Sequence, residues 1–174
     1  LIGVLLLVGS SAFAASLATP GPAPVDRSAD VAADRVDAEA TAALRIAVRD
    51  AARAAAREPV TAPADTDAGS ALAGPDTFRR YLRLRIFLAA SDAIDPIEHR
   101  RGSSVARASF GESVETVPAA LRRVSGSGVD DGTALRVTVR DLVLTVREEG
   151  RVIDRERVNR TVTVGVPVLA LHDR

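Results

Sequence analysis

The sequence contains no cysteine, no methionine and no tryptophan. Without cysteine there is no disulfide, no thiol nucleophile and no cysteine metal site. An exported chain of this size without disulfides must be held together by packing alone. Lysine and glutamine are also absent, so every basic side chain is arginine. Aromatics make up 3% of the chain, one Tyr and four Phe, which leaves the core to Val, Leu, Ile and Ala. Histidine occurs only as His99 and His172, and neither belongs to an H-E-x-x-H or other spaced ligand pair. G-x-S-x-G, a P-loop and a dinucleotide fingerprint are all missing. These absences point to a non-enzyme with no catalytic, cofactor-binding or metal-binding residues. The 23 basic and 23 acidic residues balance to zero net charge, which argues against bulk nucleic-acid binding.

Charge is also missing from the opening stretch, LIGVLLLVGSSAFAASLAT, and Asp26 is the first charged residue. At about 1.5 Å rise per residue, a helix over 1–19 spans roughly the hydrocarbon core of a bilayer. Its apolar density is front-loaded, from Ile2 to Val8, with small residues after it. A secretory signal has that shape, and Ala12-Phe13-Ala14 supplies a small-x-small cleavage pattern. A membrane anchor is the favoured reading and a cleaved signal is the alternative. Pro20, Gly21, Pro22 and Pro24 end any helix and make a semi-stiff spacer. The expected organisation is an anchor or signal at 1–19, a Pro-rich linker at 20–28 and an extracytoplasmic domain at 29–174. The expected location is the cell membrane, single-pass, or otherwise secreted. The chain opens without Met and stops at LALHDR directly after an apolar strand, so a piece of a longer protein is expected.

Beyond the linker, the run at 29–57 is rich in helix formers and free of Gly and Pro, with Ser28 as its cap and Pro59 as its stop. Its acidic residues crowd the first half and its arginines the second, which complements the helix dipole. Val36, Ala40, Ala43, Ala47 and Ala51 form a thin apolar stripe, with Leu44 and Val48 beside it. Such a stripe allows close approach but buries little area at about 25 cal/mol per Å², so this helix needs a partner surface. Residues 58–74 read as a loop. A second helix starts near Pro75 and ends at Asp95-Pro96, with Phe78, Tyr81, Leu82, Ile86 and Ala89 on one face. A loop through Glu98-His99-Arg100-Arg101-Gly102 follows.

The character then changes to β. Residues 104–110 read as a strand, 117–124 as a helical turn, and Ser125-Gly126-Ser127-Gly128 and Asp130-Asp131-Gly132 as turns. Leu135, Val137 and Val139 alternate with polar residues, and Leu142, Leu144 and Val146 continue in the opposite phase. The flip at Arg140-Asp141 predicts a bulge. Glu148-Glu149-Gly150 is a hairpin turn, and a return strand runs from 151 to about 169, with Pro167 marking an edge or the end of pairing. The fold class is α+β: an N-terminal transmembrane or signal helix, two helices, then a small antiparallel sheet dominated by a long C-terminal β-hairpin.

The two ends, LIGVLLLVGSSAFAASLAT and TVTVGVPVLALHDR, resemble an uncharacterised family of haloarchaeal membrane-anchored exported proteins. Some of these are encoded near pilus or secretion machinery. The resemblance covers most of the chain and implies no catalytic residues, because the family has no established activity.

Arg45, Arg49, Arg53 and Arg57 recur every four residues, where like charges repel by a few tenths of a kcal/mol per pair. They are either a solvated face near a helix C-terminus or a contact for an anionic partner such as lipid headgroups. Arg79, Arg80, Arg83 and Arg85, with Arg100 and Arg101, form a second basic cluster that is either a solvated face or a phosphate contact. Asp65 to Ser70, with Asp76 at the twelfth position, departs from a calcium loop at its fifth, sixth and last positions. Asn159-Arg160-Thr161 is an N-glycosylation sequon at the only Asn of the chain. The expected function is that of a non-enzymatic, membrane-anchored structural or assembly component, with a pilus-like or secretion assembly as one setting. It would meet a protein partner through the Ala-rich helix or the hairpin edge. An envelope ligand-binding or sensing module is the alternative.

Overall fold

A computed structural model describes residues 27–60, 62, 64–111, 113–129 and 133–166. The apolar segment 1–19, most of the Pro-rich linker, the turn at 130–132, Pro167 and His172 lie outside the described residues. Among the described residues no helix is long and apolar enough to cross a membrane.

Helix α1, Ser28–Arg57, is about 45 Å long at 1.5 Å per residue. Of its expected stripe, Val36, Ala40, Ala47 and Ala51 are buried and Ala43 is only half-buried, and Ala32, Leu44, Val48, Ala52 and Ala55 complete the buried face. The partner surface that this thin stripe needs is supplied from within the chain, by the second long helix and the sheet. Ser28 is not the cap. It lies inside the first turn, and its hydroxyl sits 3.2 Å from that of the fully buried Ser104.

The expected loop at 58–74 contains a short helix, α2, Asp67–Leu72. Thr66 caps it by accepting the Gly69 N–H at 3.0 Å. Position 69 must be glycine, because an added Cβ would lie 2.0 Å from the Ala64 carbonyl oxygen. Helix α3, Thr77–Ile94, is the expected second helix. Its buried face is rotated from the expected one. Leu82, Ile86, Phe87, Ala90 and Ile94 are buried, and Phe78, Tyr81 and Ala89 only pack at its margin.

The strands are β1, Glu98–Arg101; β2, Ser104–Phe110; β3, Val124–Val129; β4, Ala134–Glu148; and β5, Arg151–Gly165. Helix α4, Val117–Arg123, precedes β3. All pairings are antiparallel. β4 is the spine. β5 runs along one of its edges, while β3 pairs with 134–139 and β2 with 142–148 in tandem on the other. β1 extends the sheet beyond β2. Two strands replace expected loops. β1 (Glu-His-Arg-Arg) has no apolar residue, and its strand state comes from pairing with β2 through a turn at Gly102, φ 57°. β3 (Val-Ser-Gly-Ser-Gly-Val) carries a turn composition, yet the ladder with β4 overrides it.

The bulge falls where the phase flips. The β4–β5 register shifts between Val139 and Leu142, and Asp141 adopts φ 60°. The extra residue keeps Leu135, Val137, Val139, Leu142, Leu144 and Val146 on one buried side. Glu149 at φ 48° and Gly150 at φ 82° form the two-residue connection, both positive as a type I′ turn requires. The architecture is therefore α+β with a small antiparallel sheet. α1 and α3 cover one face of the sheet, and among the described residues its opposite face carries no helix.

Candidate functional site

Strand alternation decides which side chains reach the uncovered face. Those of β2 are Val105, Arg107 and Ser109, since Ser104, Ala106 and Ala108 are buried beneath the helices. The register then puts Glu98, Arg107, Thr145 and Arg155 in one row across β1, β2, β4 and β5. The next row reads Arg100, Val105, Arg147 and Val152. All of these except Arg100 line a shallow depression of about 300 Å³, bounded also by Ser109. Three of its walls are guanidinium groups, those of Arg107, Arg147 and Arg155, and Glu98 is its one carboxylate.

The second exposed feature is β5 itself. Residues 151–157 are all exposed, including Val152 and Ile153 at 52% and 50%. Among the described residues β5 pairs with β4 alone, so its other edge is open. Beyond Val158 the strand returns to buried alternation, with Val162 and Val164 facing the core.

Ion pairs tie β5 to the rest of the fold. Arg160 donates to Asp37 of α1 from Nε at 2.8 Å and Nη2 at 2.5 Å. Asp141 in the bulge pairs with Arg123 at 2.5 Å and Arg157 at 3.7 Å. Asn159 is exposed, and its Oδ1 accepts the Asp141 N–H at 3.1 Å. The sequon residue thus also closes the bulge.

Arg45, Arg49, Arg53 and Arg57 are all exposed on α1, on the helix side away from the sheet. Asp50 lies among them, 4.0 Å from Arg53. They are not brought to the open sheet face, from which α1 is separated by the sheet itself. The second arginine cluster disperses. Arg79 pairs with Asp76 at 3.4 Å, Arg80 donates to the Ala73 carbonyl at 2.5 Å, and Arg85 lies 5.8 Å from the centre of the Tyr81 ring. Arg83 reaches inward and donates to the carbonyls of Leu121 and Val124 at the end of α4. Burial, then the charges of Arg140 and Arg80, lower its pKa below the usual arginine value. Arg100 and Arg101 belong to β1.

Sequence reasoning missed the grouping of Arg107, Arg147 and Arg155. The alternation of each strand was readable, but the pairing of β2 with β4 was not. Among the described residues no group of three or more His, Asp or Glu is placed to hold a metal ion, and Asp67 to Ser70 of the calcium-loop-like stretch lies in α2.

No curated protein and no solved structure matches the chain. A family model described as a family of unknown function, DUF7286, matches residues 1–174, and the chain belongs to that family. This bears out the expected place in an uncharacterised family.

Proposed function

We propose that this member of the family is a non-enzymatic, membrane-anchored, extracytoplasmic assembly component that meets a protein partner along the hairpin edge. The observation that carries the reading is the distal part of β5: seven consecutive residues exposed on both faces, with an open edge. Strand addition to such an edge supplies main-chain hydrogen bonds without a preformed pocket. The uncharged segment 1–19 and the proline spacer support attachment to the membrane, with the domain standing off its surface. The Ala-rich helix is the weaker partner surface, because its stripe is already covered by α3 and the sheet. A haloarchaeal source and a pilus-like or secretion assembly are the finer form of the same reading. Glycosylation of Asn159 fits an exported chain, since a glycan on the amide nitrogen leaves Oδ1 free to hold the bulge.

The test is fractionation of the full chain in a native host, combined with crosslinking through a single cysteine. The natural sequence has no cysteine, so an Ile153→Cys variant offers one unambiguous thiol. Retention in the membrane pellet after a high-salt wash, with a crosslinked protein partner at position 153, is the expected result. Recovery wholly as a soluble, shortened monomer would sink the reading. Intact mass, compared with an Asn159→Gln variant, reports the glycan.

The alternative, an envelope ligand-binding module, is supported by the arginine-lined depression. Retained membrane attachment with no crosslinked partner at position 153 would favour it.

A further inference from the structure

We infer that the open sheet face carries a binding site for a tetrahedral phosphate-type oxyanion, held by Arg107, Arg147 and Arg155 around Thr145. Arg107 and Arg155 are the register partners of Thr145 on either side, on β2 and β5. Neighbouring strands lie about 4.8 Å apart, so the two arginines flank the hydroxyl at that spacing. Arg147 is two residues along β4, about 6.8 Å away on the same face. Side chains of arginine length converge from those three positions on the space above Thr145, which is where the depression of about 300 Å³ lies.

Three observations favour an anion there over a bare solvated surface. The Arg147 and Arg155 guanidiniums have no hydrogen-bond or ion-pair partner among the described residues, and Arg107 has only a long 3.4 Å contact with the Asp95 carbonyl. This contrasts with Arg79, Arg123 and Arg160, each of which has a carboxylate. Three like charges on adjacent strands repel, and one carboxylate, Glu98, offsets only part of that. Guanidinium groups also present paired N–H donors that match the oxygens of a phosphate, while Thr145 adds a hydroxyl. No aromatic residue lines the depression, so base stacking of the kind single-stranded nucleic acids use is missing.

The site has a defined position relative to the start of the chain. Arg147 is adjacent to Glu148, which pairs with Ser104, and Ser104 contacts Ser28 at the start of α1. The depression therefore sits near the end of the domain at which α1 begins, on the face opposite α1. A phosphoanionic lipid headgroup and a free phosphate compound share the required chemistry.

The test uses the full chain in neutral detergent micelles at low ionic strength, read by the arginine Nε–Hε resonances in NMR. One arm adds sodium pyrophosphate, and the other dopes the micelles with phosphatidylglycerol. Shifts at Arg107, Arg147 and Arg155 are expected, and binding is expected to weaken roughly ten- to a hundredfold in an R107Q/R147Q/R155Q variant. An R45Q/R49Q/R53Q variant, altered on the far side of the molecule, should bind as the natural chain does. A response to pyrophosphate assigns a free phosphate compound, and a response to phosphatidylglycerol alone assigns a headgroup. No response in either arm, or equal loss in both variants, overturns the proposal. Circular dichroism of both variants shows whether the fold is kept. The outcome is independent of whether position 153 meets a protein partner.

Discussion

The two halves of the β4–β5 hairpin have the same backbone and different surroundings. In the half beyond Val158, β5 alternates, with Val162 and Val164 facing the core opposite Val137 and Leu135. In the half near the turn, β5 carries Arg-Val-Ile-Asp-Arg-Glu-Arg and buries none of it, although its partner strand keeps Leu142, Leu144 and Val146 in the core. One half is a wall of the core, held by burial. The other is held by the ladder to β4, by the I′ turn and by the Asp141 cluster. An edge strand that long, with charge on both faces, is guarded against indiscriminate pairing. In a two-fold antiparallel pair of two copies centred on position 155, Arg155 would meet itself and Asp154 would meet Glu156; centred on position 156, Arg155 would meet Arg157 and Glu156 would meet itself. The edge therefore disfavours self-association and suits a partner of different sequence.

The contrast can be broken most forcefully in the buried half. Leu142→Ala should destabilise the domain by about 2–5 kcal/mol, as core truncations do. Ile153→Ala should stay within about 0.5 kcal/mol, because half of that side chain is already in water. Urea denaturation followed by circular dichroism compares the two. A similar cost at both positions would erase the distinction.

Next in size is the turn. Gly150 sits at φ 82°, with nothing within 4 Å of an added Cβ, so Gly150→Ala reports backbone strain alone. We expect a loss of about 1–2 kcal/mol in thermal or urea unfolding. A neutral outcome would mean that the I′ geometry is not what holds the distal half. Asn159→Ala removes the bond to the Asp141 N–H, and an exposed bond of that kind contributes about 0.5–1.5 kcal/mol. Faster amide exchange confined to the bulge would accompany that loss, whereas exchange unchanged at Asp141 would rule out a clamp. A smaller effect is expected at Asp37→Ala. Its pair with Arg160 is about one-third exposed on each side, so the cost should be about 1 kcal/mol or less and should shrink in high salt.

How much of this was legible in the sequence follows from how local each feature is. α1, α3, β2, the bulge and the I′ hairpin rest on periodicity, a phase flip and a Gly, all readable within a few residues. β1 and β3 were not readable, because Glu-His-Arg-Arg and Val-Ser-Gly-Ser-Gly-Val become strands only through pairing with the apolar strands that follow them, β2 and β4. The Phe87 and Ala90 side of α3 was missed for a related reason: which face is buried depends on where α1 and the sheet sit. The arginine site depends on three strands at once, so single-strand alternation showed each residue and hid the group. The exposed Arg45, Arg49, Arg53 and Arg57 face needed only helical spacing, and Arg45→Gln there should leave stability within about 0.5 kcal/mol.

Accessibility along β5 tests the central contrast most directly. Single cysteines placed at each position from 151 to 164 in the full chain, labelled with a maleimide under native conditions, have no background thiol to compete. The account predicts rapid labelling at every position from 151 to 157, with protection at 158, 162 and 164. Alternating protection within 151–157 in the isolated protein would show a covering layer on that half of the strand and would contradict it.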